Sequence, residues 1–234
     1  MSKITIVPTS HIARESIRLI METVTAETDC IAVELDQNRY RALKEGEAPL
    51  LDSLRALGLL TFLFYFILKN IQQSLGRIVG VSPGSEMLEA VNLGQQKGVQ
   101  VAFIDRDIGE TFLKIKAIPA KEKVGLLTFI LRSLLPGASQ SVQGLEGLPK
   151  SLDLSKVPSE RIVDAVMELL RKEFPQLYRI LVEERNVYMA QRIIELSQRF
   201  QSIVVVVGAG HAKGIREILE KKEGPSLTYT FTAG

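Results

Sequence analysis

The stretch Gln201–Gly214, Q-S-I-V-V-V-V-G-A-G-H-A-K-G, constrains the fold more than any other. Its β-branched centre, Ile203–Val207, shows no polar alternation. A strand of that kind needs both faces covered, which is the situation of a parallel sheet clad by helices. Gly208 and Gly210 permit a tight turn that brings backbone close to a ligand. His211 then opens the helix H-A-K-G-I-R-E-I-L-E-K-K, in spite of Gly214 in its first turn. The chain has only two histidines, and the other stands in a matching context. K-I-T-I-V-P-T-S-H sets His11 after a short apolar strand, with Pro8 in the turn, at the head of another helix. Both histidines therefore belong at the carboxyl ends of strands, where open α/β sheets bind their ligands.

Taken in order, Ile4–Val7, Cys30–Leu35, Val99–Ile104 and Ile203–Val207 read as strands, with Leu227–Thr232 a closing edge strand. The intervening helices are Ser10–Thr25, capped by Thr9 or Ser10, and a short Gln37–Gly46. The first βαβ unit is complete within this segment, with a right-handed crossover. Leu50–Val79 is a long apolar helical stretch broken near Gly58 or Gly76. A helix capped by Ser82, with Pro83 at its first position, runs to Lys97 and stops at Gly98. Thr111–Leu135 is helical but interrupted at Pro119, Arg161–Phe200 forms two helices divided near Pro175, and His211–Lys222 is the last helix. The expected fold is α/β: a central mostly parallel or mixed sheet flanked by helices, with an inserted apolar helical region. It forms a single domain over residues 1–234, with helical insertions at 50–80 and 111–200 and a flexible loop or lid at 136–159.

Composition narrows the function. A net charge of +2 with scattered basic residues provides no track for nucleic acid. Cys30 is the single cysteine, so an internal disulfide and multi-thiolate metal sites are excluded. The N-terminus enters a strand without a signal peptide. The uncharged run Ala56–Leu68 is shorter than the roughly 20 residues of a membrane span. The expected location is cytoplasmic, at most peripheral to a membrane. The apolar stretch 50–79 is either buried within its own domain or the face of a homodimer or a membrane-associated partner.

The strand ends gather His11, Glu34, Asp36, Asp105, Arg106, Asp107 and His211. Two imidazoles with a nearby carboxylate form a suitable shell for a divalent transition metal. A helix N-terminus disfavours imidazolium and keeps a nitrogen lone pair free for the metal. The bland alternatives are packed histidines, Glu34 and Asp36 as helix caps, and Arg106 paired with Asp105 or Asp107. In L-Y-R-I-L-V-E-E-R-N-V-Y-M-A, Leu177, Leu181 and Tyr188 define an apolar stripe that includes Glu184, with Arg185 beside it. A charge there needs a partner. It is either a structural ion pair or an arginine reaching a carbonyl, carboxylate or oxyanion. Glu86, in the first turn of its helix, either complements the helix dipole, reaches the metal or acts as general base.

The ordered motifs P-T-S-H, V-E-L-D, P-G-S-E, I-D-R-D-I, E-R-N-V-Y-M-A and V-G-A-G-H-A-K-G-I resemble the TraB/PrgY pheromone-shutdown family. That family is grouped with the Tiki metalloproteases, the GumN-like proteins, ChaN and the erythromycin esterases. The resemblance spans Ile4 to Leu219. Its pattern of two G-x-x-H motifs, two glutamates and an arginine matches Gly208–His211 directly; Pro8 replaces the first motif's glycine while His11 is retained. Glu34 and Glu86 match the glutamates and Arg185, followed by Asn186, the arginine; Arg106 matches a feature of the TraB branch. The resemblance implies a metal-dependent, metalloprotease-like hydrolase using manganese or cobalt, with zinc an alternative, on a pheromone-like peptide or small polar substrate. Metal would be held by His11, His211 and Glu34, with catalysis by Glu86, Glu34 and Arg185, supported by Gly208, Gly210, Arg106 and Asn186. The alternative is a non-catalytic protein that binds or sequesters a peptide and dimerises or docks through its apolar helices. Many relatives carry C-terminal membrane helices. None follows Lys222, so a soluble member or a truncated domain is expected.

Overall fold

The computed structural model of the chain describes residues 2–9, 14–45, 85–133, 160–221 and 227–231. His11, the apolar stretch 50–79, the cap at Ser82 and Pro83, and the segment 136–159 lie outside the described residues. The elements are β1 (Ser2–Thr9), α1 (Arg14–Thr23), β2 (Cys30–Val33), α2 (Gln37–Glu45), α3 (Ser85–Lys97) and β3 (Gln100–Phe103). There follow α4 (Ile108–Ala117), α5 (Ala120–Ser133), α6 (Glu160–Glu173), α7 (Pro175–Tyr178), a π-helical segment (Arg179–Glu183) and α8 (Glu184–Ser197). The chain closes with β4 (Ser202–Gly208), α9 (Ala209–Lys221) and β5 (Leu227–Phe231).

The β-branched run forms β4, which occupies the centre of a five-stranded sheet of order β3-β2-β4-β1-β5. Every pairing is parallel. Side chains of a strand alternate between faces. Accordingly Ile203, Val205 and Val207 pack with Met189, Ala190, Ile193, Ala212, Ile215 and Leu219 of α8 and α9. Val204 and Val206 pack with Ile20 and Val24 of the α1 region and with Met87, Ala90 and Val91 of α3. Burying each such Val or Ile contributes roughly 1.5–3 kcal/mol, which accounts for the wholly apolar run Ile203–Val207 at the centre of the strand. Two helical layers thus cover the two faces expected from the sequence. Cys30 lies fully buried in this core.

The first βαβ unit skips one strand position. β1 and β2 do not pair; β4 lies between them, in register with both. Pairing strands so far apart in sequence (Thr9 Oγ1 donates to Val207 O across 198 residues) carries a loop-closure penalty that grows only slowly with length. Pro8 is corrected: it belongs to β1, opposite Val207, and not to a turn. The β5 ladder on the other side of β1 pairs only Ser2–Ile6, so Pro8 stands where that ladder has ended. Gly98 ends α3 with φ +67, the left-handed conformation that favours glycine.

Because the sheet is parallel, the residues after β2, β3 and β4 emerge at one edge, and Thr9 at the end of β1 is opposite Gly208. Among the described residues no helix is long and apolar enough to cross a membrane.

Candidate functional site

Arg185, in the first turn of α8, is the hub of the carboxyl edge. Its Nε donates to Asp105 Oδ1 at 3.0 Å and its Nη2 to Asp105 Oδ2 at 2.7 Å. Nη2 also donates to Glu34 Oε1. Nη1 donates to Leu181 O at 3.2 Å and lies 3.0 Å from His211 Nε2. A guanidinium has five N–H donors and no acceptor, so all five are used. Burial works against the charge of Arg185, but the Glu34 and Asp105 carboxylates outweigh it and hold its pKa above the ordinary arginine value.

His211 is set by two neighbours. Since Arg185 can only donate, Nε2 must accept, which makes the imidazole neutral with its proton on Nδ1. That proton is then donated to Asn186 Oδ1, 2.7 Å away. Gly214 accounts for this contact: a Cβ there would stand 2.2 Å from Asn186 Nδ2. The glycine that weakens the first turns of α9 is therefore the one that admits the residue orienting His211. Glu34, 2% exposed, accepts the Gly208 N–H at 2.7 Å through Oε2. Its Oε1 lies 3.4 Å from His211 Nε2.

Asp105 is the residue that sequence reasoning underrated. It follows β3 as expected, yet its ion pair is with Arg185 rather than with the Arg106 guanidinium, and it also accepts from Arg39 Nη1 at 3.1 Å. Arg39 was not anticipated; α2 places it, and only the fold brings it to an aspartate 66 residues away. The cluster of Glu34, Asp105, Arg39, Arg185 and neutral His211 balances two negative charges with two positive ones. Asp36 caps α2 through Asn38 N and Arg39 N, and burial raises its pKa. Asp107 caps α4 through Gly109 N. Glu86 is 1% exposed in the first turn of α3.

Arg106 turns away from its neighbouring aspartates. It donates to Thr111 Oγ1 at 3.2 Å, Glu184 Oε2 at 3.0 Å and Ile180 O. Glu184 also accepts from Lys114 and lies 3.5 Å from Arg179, so it has the ion pairs its position called for. The apolar stripe through Leu177, Leu181 and Tyr188 does not continue: Tyr188 is 39% exposed. The buried face of α8 is instead Asn186, Met189, Ala190, Ile193 and Leu196. The reason is the π turn, in which Glu184 N–H reaches back five residues to Arg179 O. One inserted residue re-phases the helix by about 100°, so a stripe read with a constant period fails across it. Its carbonyls Ile180 O and Leu181 O accept from Arg106 and Arg185. Behind Asn186 opens a cleft of about 540 Å³ between α6 and α9, lined by Asp164, Met167, Tyr178, Gly210 and Lys213 among others.

Donor chemistry provides a test of fit for a divalent cation. Glu34 offers an anionic oxygen and His211 a neutral Nε2 whose other nitrogen is oriented by an amide carbonyl, the usual arrangement of a metal-bound histidine. Both atoms fit in type, and both face the Arg185 guanidinium in this structure. Among the described residues no group of three or more His, Cys, Asp and Glu is placed to hold a metal ion.

A parallel α/β sheet that presents an acid–arginine–histidine cluster at its carboxyl edge is the class defined by fold and site. The sequence matches the TraB/PrgY/gumN family over residues 2–228, and the chain belongs to that family. An uncharacterized protein of Methanocaldococcus jannaschii is 34% identical over 93% of the chain, and the human TraB domain-containing protein is 26% identical over 92% of it. The chain spans 53% and 62% of the lengths of these two relatives.

Proposed function

We propose that the chain is a metal-dependent hydrolase acting on a peptide or a small polar substrate. The meeting of Glu34 Oε1 and the neutral His211 Nε2, 3.4 Å apart at the sheet edge, is the observation that carries this reading. These two residues, with His11 as a third ligand by resemblance, would hold a divalent cation, which would supply Lewis acidity to a carbonyl and to water. The protein's own part begins with Asn186, which keeps the proton on Nδ1 and the lone pair on Nε2. Gly208 N–H fixes the Glu34 carboxylate in its orientation. Glu86, buried at the head of α3, is the candidate base that takes a proton from the attacking water. Arg185 stabilises a developing oxyanion through an N–H released from its present acceptors.

The saturation of all five Arg185 donors supports a second reading, in which the same pocket binds a peptide without cleaving it. Elemental analysis, thermal shift with manganese, cobalt or zinc, and peptide-library cleavage by the native protein and His211→Ala separate the two. Metal-dependent cleavage lost in His211→Ala supports the hydrolase. Peptide binding without cleavage, unchanged by chelation, establishes the binder and removes the hydrolase.

A further inference from the structure

Arg185 occupies the position that a cation shared by Glu34 and His211 would need. Nη2 donates to Glu34 Oε1 and Nη1 lies 3.0 Å from His211 Nε2, so the two donor atoms proposed for a metal already face a positive charge. The guanidinium cannot be neutralised by losing a proton, because its basicity is far above any physiological pH. A second cation at the same atoms would meet it at close range inside a buried site, where like charges repel strongly. Occupation of the site therefore requires the arginine to yield.

Apart from Leu181 O, which accepts from Nη1 at 3.2 Å, its partners fall into two sets. Glu34 follows β2 and His211 lies in α9, and each is held in place without the arginine's help, by Gly208 N–H and by Asn186 Oδ1. Asp105 follows β3 and takes Nε and Nη2 as a fork at 3.0 and 2.7 Å. Asp105 is itself anchored by the Arg106 N–H at 2.9 Å and by Arg39. The Asp105 fork uses Nε–H and one Nη2–H, so the donors facing Glu34 and His211 are separate from those that tie the guanidinium to Asp105.

We propose that Arg185 is an internal cation that latches the site and exchanges with a divalent cation, with Asp105 as the positioning residue that retains it next to the incoming ion. This inference rests on the metal-dependent reading above. The exchange moves no proton and breaks no covalent bond: hydrogen bonds to Glu34 and His211 are given up for metal ligation. It also frees N–H donors of Arg185, which are saturated in the latched state, for contact with substrate.

The test is calorimetric titration of manganese(II) chloride alone into the native protein, Arg185→Lys, Arg185→Met and His211→Ala, with folding of each checked by circular dichroism. Arg185→Lys is the decisive variant. It keeps the charge but has three donors on one nitrogen, and cannot hold the Asp105 fork together with Glu34 and His211. The latch predicts about tenfold or greater tightening in Arg185→Lys, equivalent to the net worth of one hydrogen bond to a charged group. It predicts tightening in Arg185→Met as well, and loss of binding in His211→Ala. Equal or weaker binding by Arg185→Lys overturns the latch and leaves the metal-dependent reading intact. Absence of binding in native protein and both arginine variants, or binding that survives His211→Ala, overturns both. A measurement on the native protein stands apart from the folding of any variant: zinc chloride followed by nitrogen–proton NMR of the Arg185 Nε–H. That signal should persist and shift on zinc addition, because Asp105 keeps its hold; an unmoved signal in the zinc-bound protein overturns the latch.

Discussion

Replacing Gly214 with alanine pits two effects of known sign against each other. In an open helix the substitution stabilises by about 0.5–1 kcal/mol, through lower entropy in the unfolded chain. At this position the new Cβ would stand 2.2 Å from Asn186 Nδ2 and 3.1 Å from its Cγ. Asn186 is buried and holds the His211 Nδ1–H at 2.7 Å, so it yields only by abandoning that bond. Overpacking costs about 1–3 kcal/mol. A buried polar pair left unsatisfied costs about 1–3 kcal/mol more. The clash outweighs the helix gain, and Gly214→Ala should destabilise by roughly 1–5 kcal/mol, with about 3 kcal/mol as the centre. Urea denaturation measures this as a lowered midpoint at unchanged slope. Gly125→Ala is the internal control, since its Cβ meets nothing closer than Phe174 Cε1 at 3.9 Å; it should raise the midpoint. Removing the obstacle in Asn186→Ala should make Gly214→Ala harmless or stabilising, a coupling of about 1–3 kcal/mol in a double-mutant cycle. If Gly214→Ala shifts the midpoint in the same direction as Gly125→Ala, the inferred Asn186–Gly214 packing and the orientation of His211 built on it are refuted.

Three further outcomes follow from single positions. Gly98→Ala forces a Cβ into the left-handed region at φ +67 and should cost about 1–2 kcal/mol in the same urea assay. The Cys30 thiol is pushed from 9.0 up to about 11 by burial and then by Asp29. A raised pKa means that its stabilising contribution is complete below pH 9.0 and is lost as pH rises toward about 11; stability measured across that window should decline less in Cys30→Ala than in native protein. The Lys114 hydrogen bond, and then that of Arg106, hold the Glu184 carboxyl below its ordinary value. Its contribution is therefore present above that value and lost as pH falls, so Glu184→Gln should flatten the acid side of the stability profile.

The elements themselves were legible because each has a local cause. Pro119 and Pro175 stand immediately before α5 and at the first position of α7, where a missing N–H does no harm. Asp36 and Asp107 cap helices through contacts two residues away. The parallel sheet followed from the unbroken β-branched run. The stripe through Tyr188 was misread because periodicity assumes a constant helix, and nothing local in R-I-L-V-E announces a π turn. The partner of Asp105 was not legible for a related reason: the guanidinium nearest in sequence, that of Arg106, is held by the π segment and Glu184 instead.

The sequence by itself determined that Glu34 and His211 emerge where parallel strands end, because strand-forming runs and the turn residues after them are short-range properties. Which atoms then meet was left to the tertiary structure. Arg185 touches Glu34 across 151 residues and Asp105 across 80. Those contacts depend on β4 inserting between β1 and β2 and on a π turn setting the phase of α8. Strand order and helix phase are decided by the packing of whole layers, and a burial energy summed over many side chains leaves no mark on the residues that it brings together.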